Sequence, residues 1–433
     1  MRRVVRSTAV ALATVSALVT AGCGSDTQVA GIYSPGGWPG MHADARNSAT
    51  SPVTGSRSVS PAWSRPLGAP AATYASVAAT GQIFVTTRDE IGCTLWSFDI
   101  DSGRKRWCTR LGPGSALSTP LVDKATNVYI GEDGAMNSFN DHGQLRWRTI
   151  VSGTPVSAQF TGDGNLLFVT HFGVVSILNP QNGREVVPSY QLIPAPTAAQ
   201  AQNVPLVPAA QGLDNCFLGS PECPVSHTPA IDLSSGRFYL TLWRPGTPRS
   251  QLVAMRYADG ALTEEWSTDA LPGGATSSPV LSADGSTMYV NDNEGALWAL
   301  DALSGEPRWH HDIGYTAAAG PSISADGLII PAGGRDGRLL ALRDNGDTAE
   351  VSWERTDLLQ LGVPAQTAGS TGYTVVREGT EGLAMLTFDT ATGETADQDI
   401  LPGATGFTVG TSIGPDGEVV TPTLIGELFV LKP

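Results

Sequence analysis

Along most of the chain, apolar runs of three to six residues alternate with gaps built from Gly, Asp, Asn and Ser. Runs that short, many alternating with period two, read as strands, and the gaps between them as tight turns. The clearest copy is Ser278-Pro279-Val280-Leu281, Asp284-Gly285, Met288-Tyr289-Val290, then Asn293-Glu294-Gly295-Ala296-Leu297-Trp298-Ala299-Leu300-Asp301, Ser304-Gly305 and Arg308-Trp309. It predicts four strands and three turns. Another copy starts at Thr119-Pro120-Leu121-Val122 and ends at Arg146-Trp147, and a third runs from Gly320-Pro321-Ser322-Ile323 to Ser352-Trp353.

The closing tryptophans set the period. Trp63, Trp107 and Trp147 stand 44 and 40 residues apart, and Trp266, Trp309 and Trp353 stand 43 and 44 apart. Between Trp147 and Trp266 there is room for two units once a Pro/Ala/Gln-rich insertion, 193–226, is set aside; one unit spans Thr154 to Leu192, with Val187 in the tryptophan's place. After Trp353 come one full unit, Val363 to Leu401, closing near Ala396, and a three-stranded piece, Thr408 to Leu431. Pro61 to Leu67 is an orphan fourth strand. The pattern therefore predicts an all-β, eight-bladed β-propeller of four-stranded antiparallel blades, its ring closed by the N- and C-terminal strands in one blade.

Composition narrows the class further. Gly 50 and Pro 30 in 433 residues suit many short strands and tight turns, and 41% hydrophobic residues suffice for a large core. The net charge of −15 becomes −18 when Arg2, Arg3 and Arg6 are set apart as a leader, so acidic a chain that nucleic acid is excluded as a partner.

Those three arginines precede an uncharged stretch, Ser7 to Gly22, too short to span a bilayer and suited to a secretion signal. Its end, Thr20-Ala21-Gly22-Cys23, resembles the lipobox of bacterial lipoproteins, which implies cleavage after residue 22 and lipidation of Cys23. An ordinary secretory signal with an incidental cysteine is the alternative. The resulting organisation is a signal peptide at 1–22, a lipidated tether with lead-in at 23–60, and the propeller at 61–433. Cys93, Cys108, Cys216 and Cys223 remain, an even number suited to an oxidising compartment. Cys93 and Cys108 flank the turn at Asp101-Ser102-Gly103, and Cys216 and Cys223 share the insertion, which predicts Cys93–Cys108 and Cys216–Cys223 disulfides. Zinc would want closer thiolate pairs.

Trp38-Pro39-Gly40-Met41-His42-Ala43-Asp44-Ala45-Arg46-Asn47-Ser48 resembles the lead-in found before the first blade of PQQ-like propellers. The stretch is therefore expected to pack against the propeller. The run Gly295 to Asp301 with Ser304-Gly305 and Trp309 resembles the PQQ-type repeat, G-x-L-x-A-L-D-x-x-T/S-G-x-x-x-W, and weaker copies cover most of 61–433. The resemblance implies a structural role for Trp63, Trp107, Trp147, Trp266, Trp309 and Trp353, each docked between neighbouring blades.

Two branches of this family differ in function. Quinoprotein dehydrogenases hold PQQ with Ca²⁺ and often a disulfide between adjacent cysteines; this chain has no Cys-Cys dipeptide and is shorter than those enzymes. Asp292-Asn293-Glu294-Gly295 and Glu132-Asp133-Gly134 read as β-turns before they read as calcium loops. No HExxH or P-loop occurs. The chain looks like the other, BamB-like branch, the non-enzymatic lipoprotein propeller of the outer-membrane β-barrel assembly machinery. That resemblance implies a monomeric, lipid-anchored scaffold or adaptor on the extracytoplasmic face of the cell membrane, with envelope proteins as partners and no cofactor or metal. A PQQ-dependent enzyme and a small-ligand sensor are the alternatives. The expected working face carries the loops between second and third strands and the insertion, with Trp243, Arg244, Arg335 and Arg377 as candidate contacts. Against this stands a plainer reading, in which Trp243 anchors the insertion and the charges are solvated turns.

Overall fold

A computed structural model describes residues 32–89, 91–194, 216, 219–221, 223–275 and 277–433. Cys23, Glu90 and most of the 193–226 insertion lie outside the described residues. The rest forms eight blades of four antiparallel strands arranged in a ring, with almost no helix. The first complete blade consists of Ser76–Val77, Gln82–Thr86, Leu95–Asp99 and Lys105–Thr109, from the channel outwards. Blades 2 to 7 follow in sequence. The eighth takes Ser412–Ile413, Val419–Pro422 and Glu427–Lys432 from the C-terminus and Ser60–Pro66 from the N-terminal side, with Trp63 opposite Val430.

The tryptophans interlock the blades through glycine. Trp63 lies so close over Gly103 in the next blade that a Cβ there would stand 2.6 Å from the indole, and Trp107 lies equally close over Gly143. Both glycines have left-handed φ, 64° and 79°, so the turn and the indole each demand a residue without a Cβ. Trp147, Trp266 and Trp353 cover Gly183, Gly305 and Gly393 in the same way. The indole N–H groups of Trp63, Trp107, Trp147 and Trp353 also donate to carbonyls of the next blade, at Ile100, Asp141, Pro180 and Thr390. Trp309 instead reaches the Asp344 carboxylate at 2.8 Å. Where Val187 replaces the tryptophan, the turn glycine of the following blade, Gly260, has open space above it.

From Ile32 onward the segment before the first blade packs against the propeller. It winds as a belt inside the ring, against the open edges of the innermost strands. Trp38 and Val77 exchange two backbone hydrogen bonds of 2.8 Å on blade 1, and Val122 of blade 2 donates to Pro39. Ile231, Leu281, Ile323 and Gln366, on blades 4 to 7, donate to Ala45, Arg46, Ser48 and Ala49. Blade 3 is reached through Tyr33, whose hydroxyl accepts from Phe160 N and donates to Gln159. The belt then adds Thr50–Thr54 as a parallel fifth strand to blade 7. Inner strands of two to four residues leave backbone groups facing the channel that need partners, and the belt supplies them.

Its turns explain the Asp44 and Ser48 spacing. One Asp44 oxygen accepts from the backbone of Arg46 and Ser48, and the other from the Ser48 hydroxyl and Arg46 guanidinium. Ala43, Asn47 and Ala49 all have left-handed φ, strain for a residue with a Cβ that the surrounding bonds hold in place.

Candidate functional site

The belt closes the channel on the side of the first-to-second-strand turns. There a recess of about 900 Å³ is lined by Asp232, Asp284 and Asp326 among others. Their carboxylates are engaged in their own turns, with Ser234 and Ser235, with Ser282 and Ser286, and with Ser324 and Arg343. Hydrogen bonds from Ser282 to Asp284 and from Ser324 to Asp326 hold those two carboxyls below the usual range.

On the opposite side the channel opens into a chamber of about 370 Å³. Its floor is Met41 and His42 of the belt, and its walls are the connections between successive blades, including Tyr74, Leu117, Ser278 and Phe407. The described walls carry no carboxylate; Arg335 is exposed at the rim. The sulfur of Met41 sits 2.8 Å from the Thr228 hydroxyl. His42 is 1% exposed and meets the Tyr74 ring edge-on, with centroids 5.0 Å apart. Burial, with a smaller repulsion from His227, lowers its pKa to about 3, so the ring is neutral at physiological pH. Burial likewise lowers His171, on blade 3, to about 4, and Thr154 N–H donates to its Nδ1 at 2.8 Å.

These two rings give the fold an acid-side weakness. Their folded pKa values lie below the ordinary 6.5, so as pH falls from 6.5 toward 4 the unfolded chain takes up protons that the fold refuses. Each ring then removes about 1.4 kcal/mol of stability per pH unit. His171→Asn keeps an acceptor for Thr154 without a titrating ring. Urea midpoints at several pH values between 6.5 and 4.5 should show a slope shallower by one such contribution; an unchanged slope refutes the assignment.

The residues singled out in the sequence do not gather at one point. Arg335 alone of the four reaches the chamber. Trp243 is half-buried, its backbone N–H on Pro224 O at the end of the insertion and its indole N–H on Thr247 O. Arg244 is tied to Leu192 O, Gln251 and Glu264. Arg377 bonds Thr380 O within its own hairpin. Cys93 is joined to Cys108 and Cys216 to Cys223, with Cα atoms 5.8 and 5.2 Å apart. Glu132 and Asp292 hold turns: the first accepts from Gly112 N, Asn137 and Arg148, the second from Glu294 N, Ala296 N and the Trp298 indole. Sequence reasoning missed His42 and Tyr74. His42 lay in plain sight inside the lead-in motif, but nothing in the repeat pointed to the channel axis.

The architecture is that of the PQQ-like repeat propellers. Residues 48–204 and 241–415 match the family described as outer membrane protein assembly factor BamB, and the chain belongs to that family. Over 417 residues, 95% of this chain and 100% of the relative, it is 36% identical to Protein Rv3035 of Mycobacterium tuberculosis. It is 25% identical over 298 residues to outer membrane protein assembly factor BamB of Yersinia pestis, covering 65% of this chain and 66% of that one. Among solved structures, BamB from Moraxella catarrhalis superposes with a TM-score of 0.57 at 15% identity, covering 87% of this chain and 100% of that one. A europium-containing methanol dehydrogenase superposes with a TM-score of 0.62 at 13% identity over 92% and 98%, a likeness of fold alone.

The residues present do not fit a quinone with a divalent cation. PQQ carries three carboxylates and needs compensating charge, whereas the described chamber walls offer one guanidinium at the rim and no carboxylate for the metal.

Proposed function

We propose that the protein is a non-enzymatic scaffold or adaptor of the cell envelope, anchored by lipid at Cys23 and working as a monomeric propeller on the extracytoplasmic face. Membership of the BamB family carries this reading. The working face is the mouth of the chamber. The position of the belt supports that choice, because Ile32 enters on the opposite side, bonded to Lys124 and packed over Gly164. The nine residues from Cys23 to Ile32 reach at most about 30 Å, so the anchor keeps the belt side toward the membrane and leaves the mouth turned away. The mouth-side loops also carry exposed apolar groups at Ile91 (84%), Ile425 (52%) and Leu424 (41%), and Leu424 lines the chamber together with Arg335. Apolar side chains next to an arginine are the usual make-up of a protein-binding patch.

The test is photo-crosslinking in native membranes from Arg335 and Ile425 at the mouth and from Arg256 on the blade rim. One envelope protein should be captured from both mouth positions and not from Arg256. Cys23→Ala should shift the chain from the membrane to the soluble fraction. Capture from the rim alone, or membrane retention of the cysteine variant, contradicts the reading. Arg244 is a poor probe of binding, since its removal leaves Leu192 O and Glu264 without their partner.

A further inference from the structure

The chamber gathers buried polar atoms that have no hydrogen-bond partner. Nδ1 and Nε2 of His42, Oη of Tyr74, Oγ of Ser278 and Oγ1 of Thr408 are all in this state, and the four residues line the one chamber. Their exposures are 1, 2, 2 and 7%. The large majority of buried polar atoms in folded proteins are partnered, because each orphan costs about 1 to 3 kcal/mol. The backbone carbonyl of His42 accepts from Asp44 and Ala49 within the belt's own turn, and its ring meets the Tyr74 ring edge-on. The imidazole has no bond of its own at the bottom of the chamber.

The rest of the chamber sets the chemistry of an occupant. Leu117, Val363 and Phe407 give it an apolar wall, with no carboxylate among the described residues. An ionic group at this depth would lose its hydration without compensation. A neutral imidazole offers one donor and one acceptor, and the Tyr74 hydroxyl can serve as either, so a hydroxyl or carbonyl would be satisfied there. The volume of about 370 Å³ lies at the lower end of small-molecule sites.

We propose that this chamber binds an uncharged, largely apolar small molecule carrying a hydroxyl or carbonyl group. That group is held by His42 at the floor and Tyr74 on the wall beside it, with the apolar body against Leu117, Val363 and Phe407. The site goes beyond the scaffold reading and does not depend on it, since a protein partner at the rim leaves the floor to a small ligand.

Three probes of one shape separate the contributions: 1-naphthol, naphthalene and 1-naphthoate, titrated calorimetrically into the purified full-length chain. 1-Naphthol should bind saturably and one to one, about tenfold more tightly than naphthalene, with 1-naphthoate excluded. Tyr74→Phe deletes only a hydroxyl that bonds nothing in the fold, so the variant should keep its stability while its preference for 1-naphthol over naphthalene drops several-fold. His42→Phe should abolish that preference, with near-ultraviolet dichroism confirming the fold. Absence of saturable 1-naphthol binding, equal binding of the carboxylate, or an unchanged preference in the Tyr74 variant would overturn the proposal.

Discussion

Deleting residues 59–67 should unfold the protein or drive it into aggregates, because this segment supplies the outer strand that closes the ring. Its strand pairs with Glu427–Lys432 from Ser60 opposite Lys432 to Pro66 opposite Glu427. Without it, the C-terminal strand of blade 8 becomes a free edge, open to pairing with another chain. Blade 8 also loses its grip on blade 1, where Trp63 covers Gly103 and Arg65 donates to Gly103 O at 2.9 Å. Val59 and Leu67, 2% and 1% exposed, leave the core as well. Removing three large packed side chains costs about 6 kcal/mol or more, a large part of what a typical domain has. Trp63→Ala is the gentler version, expected to lower stability by about 3 kcal/mol in urea denaturation while the chain stays monomeric. A deletion variant as stable and as monomeric as the parent would show that the ring does not need this closure.

What the sequence made legible was whatever repeats. The interlock of one tryptophan and one glycine recurs at five blade junctions, so its period survives in the one-dimensional pattern. The gap at Val187 was legible for the same reason: the missing indole shows as a break in a regular series, and Gly260 has open space in the structure. The missing outer strand at the C-terminus likewise pointed to Trp63. The belt was legible only as a motif. It meets seven blades mostly through single backbone bonds to positions scattered from Val77 to Gln366, and backbone bonds leave no mark on residue choice at the far end. The chamber was not legible at all, because His42 comes from the belt and Tyr74, Ser278 and Thr408 from three connections with no common spacing. The candidate contacts at Trp243 and Arg244 show the reverse case. Residue types common at interfaces are here tied into their own loop, and composition alone could not separate the two uses.

The belt should prove to be what makes eight small sheets behave as one body. Each blade touches its neighbours through side chains, but Trp38, Ala45, Arg46, Ser48 and Ala49 bond in turn to blades 1, 4, 5, 6 and 7. Asn47 is its densest joint. Its amide donates to Thr228 O at 3.1 Å and Pro279 O at 2.9 Å, and its oxygen accepts from Gln159 at 2.9 Å, tying the entries to blades 4 and 5 to blade 3. Asn47→Ala strands two buried carbonyls and places alanine at a φ of 60°, for an expected loss of about 3 kcal/mol. Trp38, fully buried at 0% exposure, should cost about 4 kcal/mol as alanine. Because the two sit on different blades, the double variant should lose nearly the sum. The distinguishing readout is hydrogen exchange. The amides of Ile231, Leu281, Ile323 and Gln366, which donate to the belt, should exchange far faster in the double variant, while amides in the middle strands change only with global stability. If all amides accelerate by the same factor, the belt is merely one more packed segment; if the inner-strand amides accelerate alone, it is the element that joins the blades along the channel.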